Sequence, residues 1–159
     1  MIKHTQKIEI NSDLNKVWFF LMNFSHSLIF DKYYTKIELP FNYSVNKNLI
    51  FKIYINYFSM LQQYNAKVKE CLPPESFILN IKNVRGVGYQ HQKSFSLQKK
   101  GSKTLLTYKH SGSFNYFILD LFFFIFLKSS CLNELKHIKQ SIESSEINLN
   151  DKKYNTMKL

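Results

Sequence analysis

A strict period of two runs through residues 89–114, which read YQHQKSFSLQKKGSKTLLTYKHSGSF. Alternation of this kind predicts two strands that each bury one face. Residues 99–103, with Gly101 among them, predict the hairpin loop between these strands. We take a register in which Phe95 faces Leu106 across this loop, so that their side chains meet on one face; a slip of one residue would turn His110 to the other face. The sequence therefore predicts a long, half-buried antiparallel hairpin.

The same period of two recurs in the chain before this hairpin. It predicts a first strand near the N-terminus and a series of strands joined by short links. Links of hairpin length between consecutive strands imply an antiparallel meander with one buried face. The predicted strands before the hairpin cover residues 3–10, 33–39, 49–57, 62–70 and 77–81.

Helical periodicity appears in two places. Residues 13–23 repeat apolar side chains every three or four positions after a capping run of Asn, Ser and Asp, and a second brief helix or turn follows in residues 23–32. A long helix is predicted over residues 115–143; its first half is apolar nearly all round, and its second half is amphipathic with Glu134 on the polar side. The residues expected near one stripe of this helix are Phe117, Leu121, Phe124, Cys131, Leu135, Ile138 and Ile142.

The composition fits one globular domain. The chain has 159 residues, of which 45% are hydrophobic and 16% aromatic, so it can bury a core without a metal or a disulfide framework. The formal net charge is +11, although A/T-rich codon usage would also favour Lys, since Arg85 is the only Arg and Ala66 the only Ala. Residues 1–143 form the expected domain, and residues 144–159 lose all periodicity, which predicts a flexible polar tail.

The expected compartment is the cytoplasm. Cys71 and Cys131 are too few for a disulfide framework, which favours a reducing environment. The first ten residues do not resemble a secretory signal. The longest apolar run, residues 116–127, contains Asp120 and is about half as long as a membrane span of roughly 20 residues.

Several local motifs resemble one superfamily. Residues 17–24 (VWFFLMNF), followed by Phe30-Asp31 and by residues 36–39 (KIEL), are similar to the first-helix block of the polyketide cyclase/dehydrase branch of the START-related superfamily (SRPBCC). Residues 101–105 (GSKTL) resemble the glycine-threonine turn of that branch, and residues 132–136 (LNELK) its terminal helix.

This resemblance implies an α+β helix-grip fold, as in birch-pollen-allergen-like proteins. In that fold a curved antiparallel sheet of about seven strands wraps around a long C-terminal helix, with two short helices after the first strand. The resemblance further implies an elongated apolar cavity between the sheet and the helix. Carriers, cyclases, chaperone partners and ribosome-associated factors share this scaffold, so the fold alone leaves function open.

The predicted hairpin carries a polar cluster on its inner face. In the register that pairs Phe95 with Leu106, Lys93 faces Tyr108 and His91 faces His110, and a slip of two residues would keep the same face. Such groups could orient a carboxylate, phosphate or enolate, or could lie at a solvated rim or simply fill the interior. The expected ligand-binding residues are Phe51, Tyr64, Tyr89, His91, Lys93, Phe95, Tyr108, His110, Phe117, Leu121 and Phe124.

Three functions follow from these features. The first is binding or transport of a hydrophobic small molecule, such as a lipid, quinone or polyketide-like compound. The second is a cyclase or dehydratase in which His91 or His110 acts as general base and Tyr108 or Lys93 stabilises an enolate. The third is an interaction protein that docks on RNA or the ribosome. The sequence has no spacing typical of a metal site or of cofactor binding, and we predict neither.

Charge is distributed unevenly along the chain. Residues 76–119 contain seven basic residues and no acid, and Lys99, Lys100 and Lys103 crowd the tip of the predicted hairpin. This basic edge suits an anionic membrane surface or an acidic partner, and nucleic acid less well. The nearby Phe-rich helix start could join it in touching a membrane, whereas a solvated lysine face and a buried helix are the plainer interpretation.

Overall fold

The structure, a computed structural model, describes residues 1–57, 59–86 and 88–144. Seven strands and three α-helices follow one another, with a short 3-10 helix (Leu28–Phe30) after α2. The strands are β1 (Ile2–Ile10), β2 (Tyr34–Glu38), β3 (Ile50–Tyr57), β4 (Met60–Leu72), β5 (Ser76–Asn83), β6 (Gln90–Lys100) and β7 (Lys103–Ser113). The helices are α1 (Leu14–Met22), α2 (Phe24–Ser27) and α3 (Phe117–Glu143).

The strands form one antiparallel sheet in the order β1-β7-β6-β5-β4-β3-β2. The predicted meander of six strands is confirmed, and β1 joins it beside β7. Register shifts between Val68 and Glu70 in β4, and between Tyr34 and Lys36 in β2, mark irregularities that bend a strand and increase its twist. The arrangement of a seven-stranded sheet, two short helices after β1 and a long C-terminal helix confirms the predicted helix-grip architecture.

The β6–β7 hairpin differs from the predicted register by two residues. Phe95 pairs with Tyr108, and Lys93 pairs with His110. The reason is the turn: Lys100 pairs directly with Lys103, so the loop holds two residues instead of five, and Gly101 has the positive φ that such a turn requires. Because a shift of two preserves the face, the predicted inner side chains still point inward.

Helix α3 packs against the sheet through a narrow stripe. Its buried residues include Phe123, Leu127 and Cys131, and the same stripe contains Glu134, which the sequence placed on the polar side. The predicted stripe residues Phe117, Leu121 and Phe124 are instead exposed by 82%, 57% and 43%. Those three predictions were wrong because a segment that is apolar all round has no periodicity from which its buried side could be read.

The two ends of α3 lie at opposite ends of the molecule. Asp120 contacts the N-terminal amine of Met1, whereas Glu143 accepts a hydrogen bond from the amide of Asn11, just after β1. At 1.5 Å per residue, the helix is about 40 Å long. The predicted tail falls outside the described residues beyond position 144. Within the described part of the chain, no helix is long and apolar enough to cross a membrane.

Candidate functional site

A buried lysine lies at the centre of the interior. Lys93 projects from β6 and has no solvent-exposed surface. Its ammonium lies 2.8 Å from Asp31 Oδ2 and 2.8 Å from Glu134 Oε1. The three charged groups thereby join β6, α3 and the segment after the 3-10 helix. Charges that are removed from water in this way need close partners, because an unpaired buried ion is very costly.

Local structure fixes each carboxylate. Asp31 follows the 3-10 helix, and its Oδ1 accepts a hydrogen bond from the amide of Tyr33 at 3.0 Å. Glu134 lies on the buried stripe of α3, three residues after Cys131 and four before Ile138. Its Oε2 accepts a hydrogen bond from the Tyr108 hydroxyl at 3.1 Å. Both carboxylates are therefore held by neutral donors as well as by the ammonium.

The charges of this triad do not balance when all three groups ionise. Two carboxylates face one ammonium, which leaves a net negative charge. Burial raises the pKa of Glu134, against the opposing effect of Lys93, so Glu134 is the group that retains a proton most readily. Although burial alone would lower it, the pKa of Lys93 is raised because Asp31 and Glu134 both stabilise the ammonium.

A chain of tyrosines and histidines extends from this triad. The Tyr108 hydroxyl also contacts His110 Nδ1 at 3.2 Å, and the Tyr89 hydroxyl contacts His110 Nε2 at 3.0 Å. When Tyr108 donates its one proton to Glu134, it must accept from His110. That assignment puts the imidazole proton on Nδ1 and leaves Nε2 to accept from Tyr89.

The second histidine stacks on the first. The rings of His91 and His110 lie 5.0 Å apart between centroids, with an interplanar angle of 7°. The Tyr34 hydroxyl lies 2.9 Å from His91 Nε2. His91 Nδ1 is buried and interacts with the backbone of Tyr89. Among the described residues it has no hydrogen bond of normal geometry.

Both imidazoles are held in the neutral form. Burial, together with the positive charge of Lys93, lowers the pKa of His91 to about 3. Burial, followed by the effects of His91 and Lys93, lowers the pKa of His110 well below its usual value. A buried neutral imidazole is a hydrogen-bond donor and acceptor at neutral pH.

An aromatic cluster adjoins the polar chain beneath the first half of α3. The ring of Phe123 lies between three others, with centroid distances of 5.3 Å to Tyr57, 4.7 Å to Tyr89 and 5.1 Å to Phe114. These rings come from β3, α3 and the segments that flank β6 and α3. Tyr89 belongs to both groups, so the apolar cluster and the hydrogen-bonded chain share a boundary.

Three solved structures are similar to this chain over about nine-tenths of its length. A conserved protein from Geobacillus kaustophilus has a TM-score of 0.70 and 16% identity, covering 91% of this chain and 97% of that one. Ara h 8.0201 has a TM-score of 0.62 and 10% identity, covering 89% of this chain and 99% of that one. The di-domain aromatase/cyclase StfQ, from the steffimycin biosynthetic pathway, has a TM-score of 0.67 and 9% identity, covering 90% of this chain and 51% of that one.

This chain has the helix-grip fold. No protein-family model matches its sequence, and no curated protein is significantly similar to it. The structural likeness therefore establishes the fold, as the sequence motifs predicted. What the chain does must be argued from its own interior.

Within the helix-grip fold, the predicted site residues separate into two groups. Eight lie buried on the concave side of the sheet, and three lie on the exposed side of α3. The buried eight are Phe51, Tyr64, Tyr89, His91, Lys93, Phe95, Tyr108 and His110. The exposed three are Phe117, Leu121 and Phe124, of which Phe124 stacks on His4 at 4.6 Å.

Sequence reasoning missed Asp31, Glu134 and Phe123 as site residues. Glu134 had a detectable signal, because it lies at helical spacing between Cys131 and Ile138. Asp31 belongs to the quoted Phe30-Asp31 motif, but nothing in the sequence linked it to Lys93, since it lies 62 positions earlier and follows an irregular segment. Asp120 proved to be structural: it accepts hydrogen bonds at 2.7 Å from the Ser113 hydroxyl and at 2.7 Å from the Phe114 amide.

Two clefts lie on the described surface. One of about 230 Å³ lies beside the sheet, lined by residues that include Asn80, Gln92 and Ser111. Another of about 440 Å³ is formed by residues 116–119 at the start of α3. Among the described residues, no group of three His, Cys, Asp or Glu side chains could hold a metal ion. The interior presents hydrogen-bond donors and acceptors beside aromatic surface.

Proposed function

We propose that the protein binds a hydrophobic small molecule, such as a lipid, quinone or polyketide-like compound, between the first half of α3 and the sheet. The helix-grip fold is consistent with hydrophobic ligands. The observation that carries the proposal is the ring cluster of Tyr57, Tyr89, Phe114 and Phe123 under this half of the helix. It combines apolar surface with a polar boundary, which is the usual character of a small-molecule site.

The ligand would take the place that the Phe123 ring now fills. In the first half of α3 only Asp120, Phe123 and Leu127 are buried, so few side chains hold it against the sheet. The second half is tied more firmly. Lys139 donates a hydrogen bond to the carbonyl of Glu9, and Glu134 pairs with Lys93. Outward movement of the first half alone would admit a ligand and leave the second half in place.

The polar chain would orient the ligand. Tyr89 touches Phe123 and also contacts His110, so its hydroxyl is positioned to exchange that partner for a ligand oxygen. Burial of about 300 Å² of apolar ligand surface contributes roughly 7 kcal/mol, from which the free energy of moving α3 is subtracted. Apolar burial would therefore drive binding, with hydrogen bonds setting the orientation.

Binding of a fluorescent polyene fatty acid tests this location. Phe123→Ala vacates the ligand position, so the probe should bind at least about fivefold more tightly than to the wild-type chain. Phe77→Ala is the matched control, because Phe77 is equally buried but packs against Trp18 and Phe95, away from the cluster. An equal gain in both variants, or no binding to the wild-type chain, would refute the proposal.

The basic tip of the β6–β7 hairpin, Lys99, Lys100 and Lys103, remains a proposed contact for an acidic partner or an anionic surface. All three side chains are exposed, and Lys100 pairs with Glu9. This tip lies near the end of β1, where Ile10 pairs with Thr104, and so far from the start of α3. Salt-sensitive binding to RNA or to an acidic protein that is lost when all three become Gln would support this role. Unchanged binding in this variant would refute the proposed role of the basic tip.

A further inference from the structure

We propose that the first half of α3, residues 117–128, is an interfacial anchor that inserts into the surface of an anionic lipid bilayer. The proposal does not depend on ligand binding, since it concerns the side of the helix that faces away from the sheet. The sequence predicted a membrane contact that combines the Phe-rich helix start with the basic hairpin tip; the proposal keeps the helix start and excludes the tip, which lies at the other end of the molecule.

The apolar surface of this anchor is large. Eight Phe, Ile and Leu side chains between positions 117 and 126 are between 42% and 82% exposed. At about 150–200 Å² for each fully exposed large side chain, they present roughly 900 Å² of surface. The largest apolar patch of a typical soluble monomer is about 300–600 Å². The eight residues are Phe117, Ile118, Leu119, Leu121, Phe122, Phe124, Ile125 and Phe126.

The geometry favours a helix that lies in the plane of the interface. The apolar part spans three turns, about 16 Å, which is half of what a span requires. No described helix is able to cross a membrane. The side of this half that faces the sheet is anchored by Phe123 and Leu127, which leaves the outer side free to enter a headgroup layer to a depth of about 5–10 Å.

Charge around the anchor identifies the partner. Lys128 ends the apolar run, Lys3 precedes the His4 that stacks on Phe124, and Lys32 lies over the Tyr33 ring at 4.8 Å. The one acid of α3 before Glu134 is Asp120, which is buried and paired with the N-terminal amine. A second copy would bring the same positive charges and the same net charge of +11. Anionic lipid brings the opposite sign, so it is the complementary occupant.

Flotation with large vesicles tests insertion. The probes are vesicles of phosphatidylcholine alone and vesicles with about one third phosphatidylglycerol. A triple variant, Phe117→Ser, Phe122→Ser and Ile125→Ser, should bind the anionic vesicles at least about tenfold more weakly than the wild-type chain. The matched control is Phe41→Ser with Leu72→Ser, which removes exposed apolar residues elsewhere and should leave binding within about twofold.

A charge-matched pair of variants tests the choice of lipid. Replacing the three lysines together (Lys3→Gln, Lys32→Gln and Lys128→Gln) should weaken binding to anionic vesicles by about 100-fold, since each lysine near the surface contributes about fivefold. The same change at Lys99, Lys100 and Lys103 should have little effect. Two results overturn the proposal. One is an equal loss of vesicle binding in the two lysine variants. The other is a wild-type chain that does not bind vesicles and instead forms dimers, which the triple serine variant does not form.

Discussion

Lys93, Asp31 and Glu134 form a charged centre inside an otherwise apolar interior. Replacing such a centre by well-packed apolar residues is often neutral for stability, whereas removing one partner leaves a buried charge unpaired. The centre holds three parts of the chain in one arrangement: β6, α3 and the residue after the 3-10 helix. The centre therefore contributes specificity of packing. The free energy of unfolding falls strongly only when one of its partners is removed.

Lys93→Met should lower the free energy of unfolding by about 3–5 kcal/mol, because Asp31 and Glu134 lose their shared cation. Urea denaturation measures this change. Lys100→Met is the control, since an exposed ion pair such as Lys100–Glu9 contributes little to stability. The double variant Lys93→Met with Glu134→Gln should lose less than the sum of the two single variants. Strictly additive losses would contradict a coupled centre.

The neutral histidines make stability depend on pH. The pKa of His91 is about 3 in the folded chain and near 6.5 when unfolded, so between these values the unfolded chain binds more protons. Stability therefore falls as pH falls through this window, by about 1.4 kcal/mol per pH unit for each such histidine. The raised pKa of Glu134 acts in the opposite direction.

His91→Gln isolates this effect. Between pH 4 and 6, the slope of unfolding free energy against pH should be lower in the variant by about 1.4 kcal/mol per pH unit, because one proton fewer is taken up on unfolding. His26→Gln is the control, since His26 is only partly buried in α2 and lies outside the hydrogen-bonded interior. Parallel slopes in the wild-type chain and His91→Gln would show that His91 is accessible to protons when folded.

At the level of elements, α3 consists of two unequal halves. The second half buries six residues, among them Glu134 and Ile138, and is tied by hydrogen bonds to β1 and to Asn11. The first half buries only Asp120, Phe123 and Leu127. Segments with few buried contacts open most easily. The proposed ligand entry and the proposed membrane anchor both use the half that is held less firmly.

Amide hydrogen exchange should resolve this difference. Residues 121–127 should exchange at least about tenfold faster than residues 134–140, because opening the first half breaks fewer buried contacts. Asp120→Asn should raise exchange in the first half further, since a neutral amide holds the Ser113 hydroxyl and the N-terminal amine less strongly than a carboxylate. Uniform protection along α3 would contradict the division into halves.

The sequence predicted the inner faces of the strands better than the buried side of the long helix. Alternation predicted which side chains of β6 and β7 point inward, and a register error of two residues did not change that face. Periodicity could not predict the buried side of α3 near Phe123, because neighbouring positions are equally apolar. The triad was out of reach for another reason: Asp31 and Glu134 lie 62 and 41 positions from Lys93, and only the folded chain brings them together.

At the level of the whole molecule, the basic character and the aromatic character belong to different parts. The basic hairpin tip lies at the end of the sheet where β1 finishes, and the exposed aromatic half of α3 lies where β1 starts. Lys93, one of the seven basic residues in the acid-free run, is not part of any surface. Aromatic residues form the proposed ligand site, and Phe, Ile and Leu side chains form the apolar surface of the proposed anchor.

Native mass spectrometry of the chain, purified without detergent, tests hydrophobic-ligand binding most directly. The same sample is then extracted with organic solvent, and the stripped chain is incubated with a lipid extract. We predict a complex of one apolar molecule per chain, which solvent removes and the lipid extract restores. The mass of the bare chain alone, both before extraction and after incubation, would contradict the proposed function.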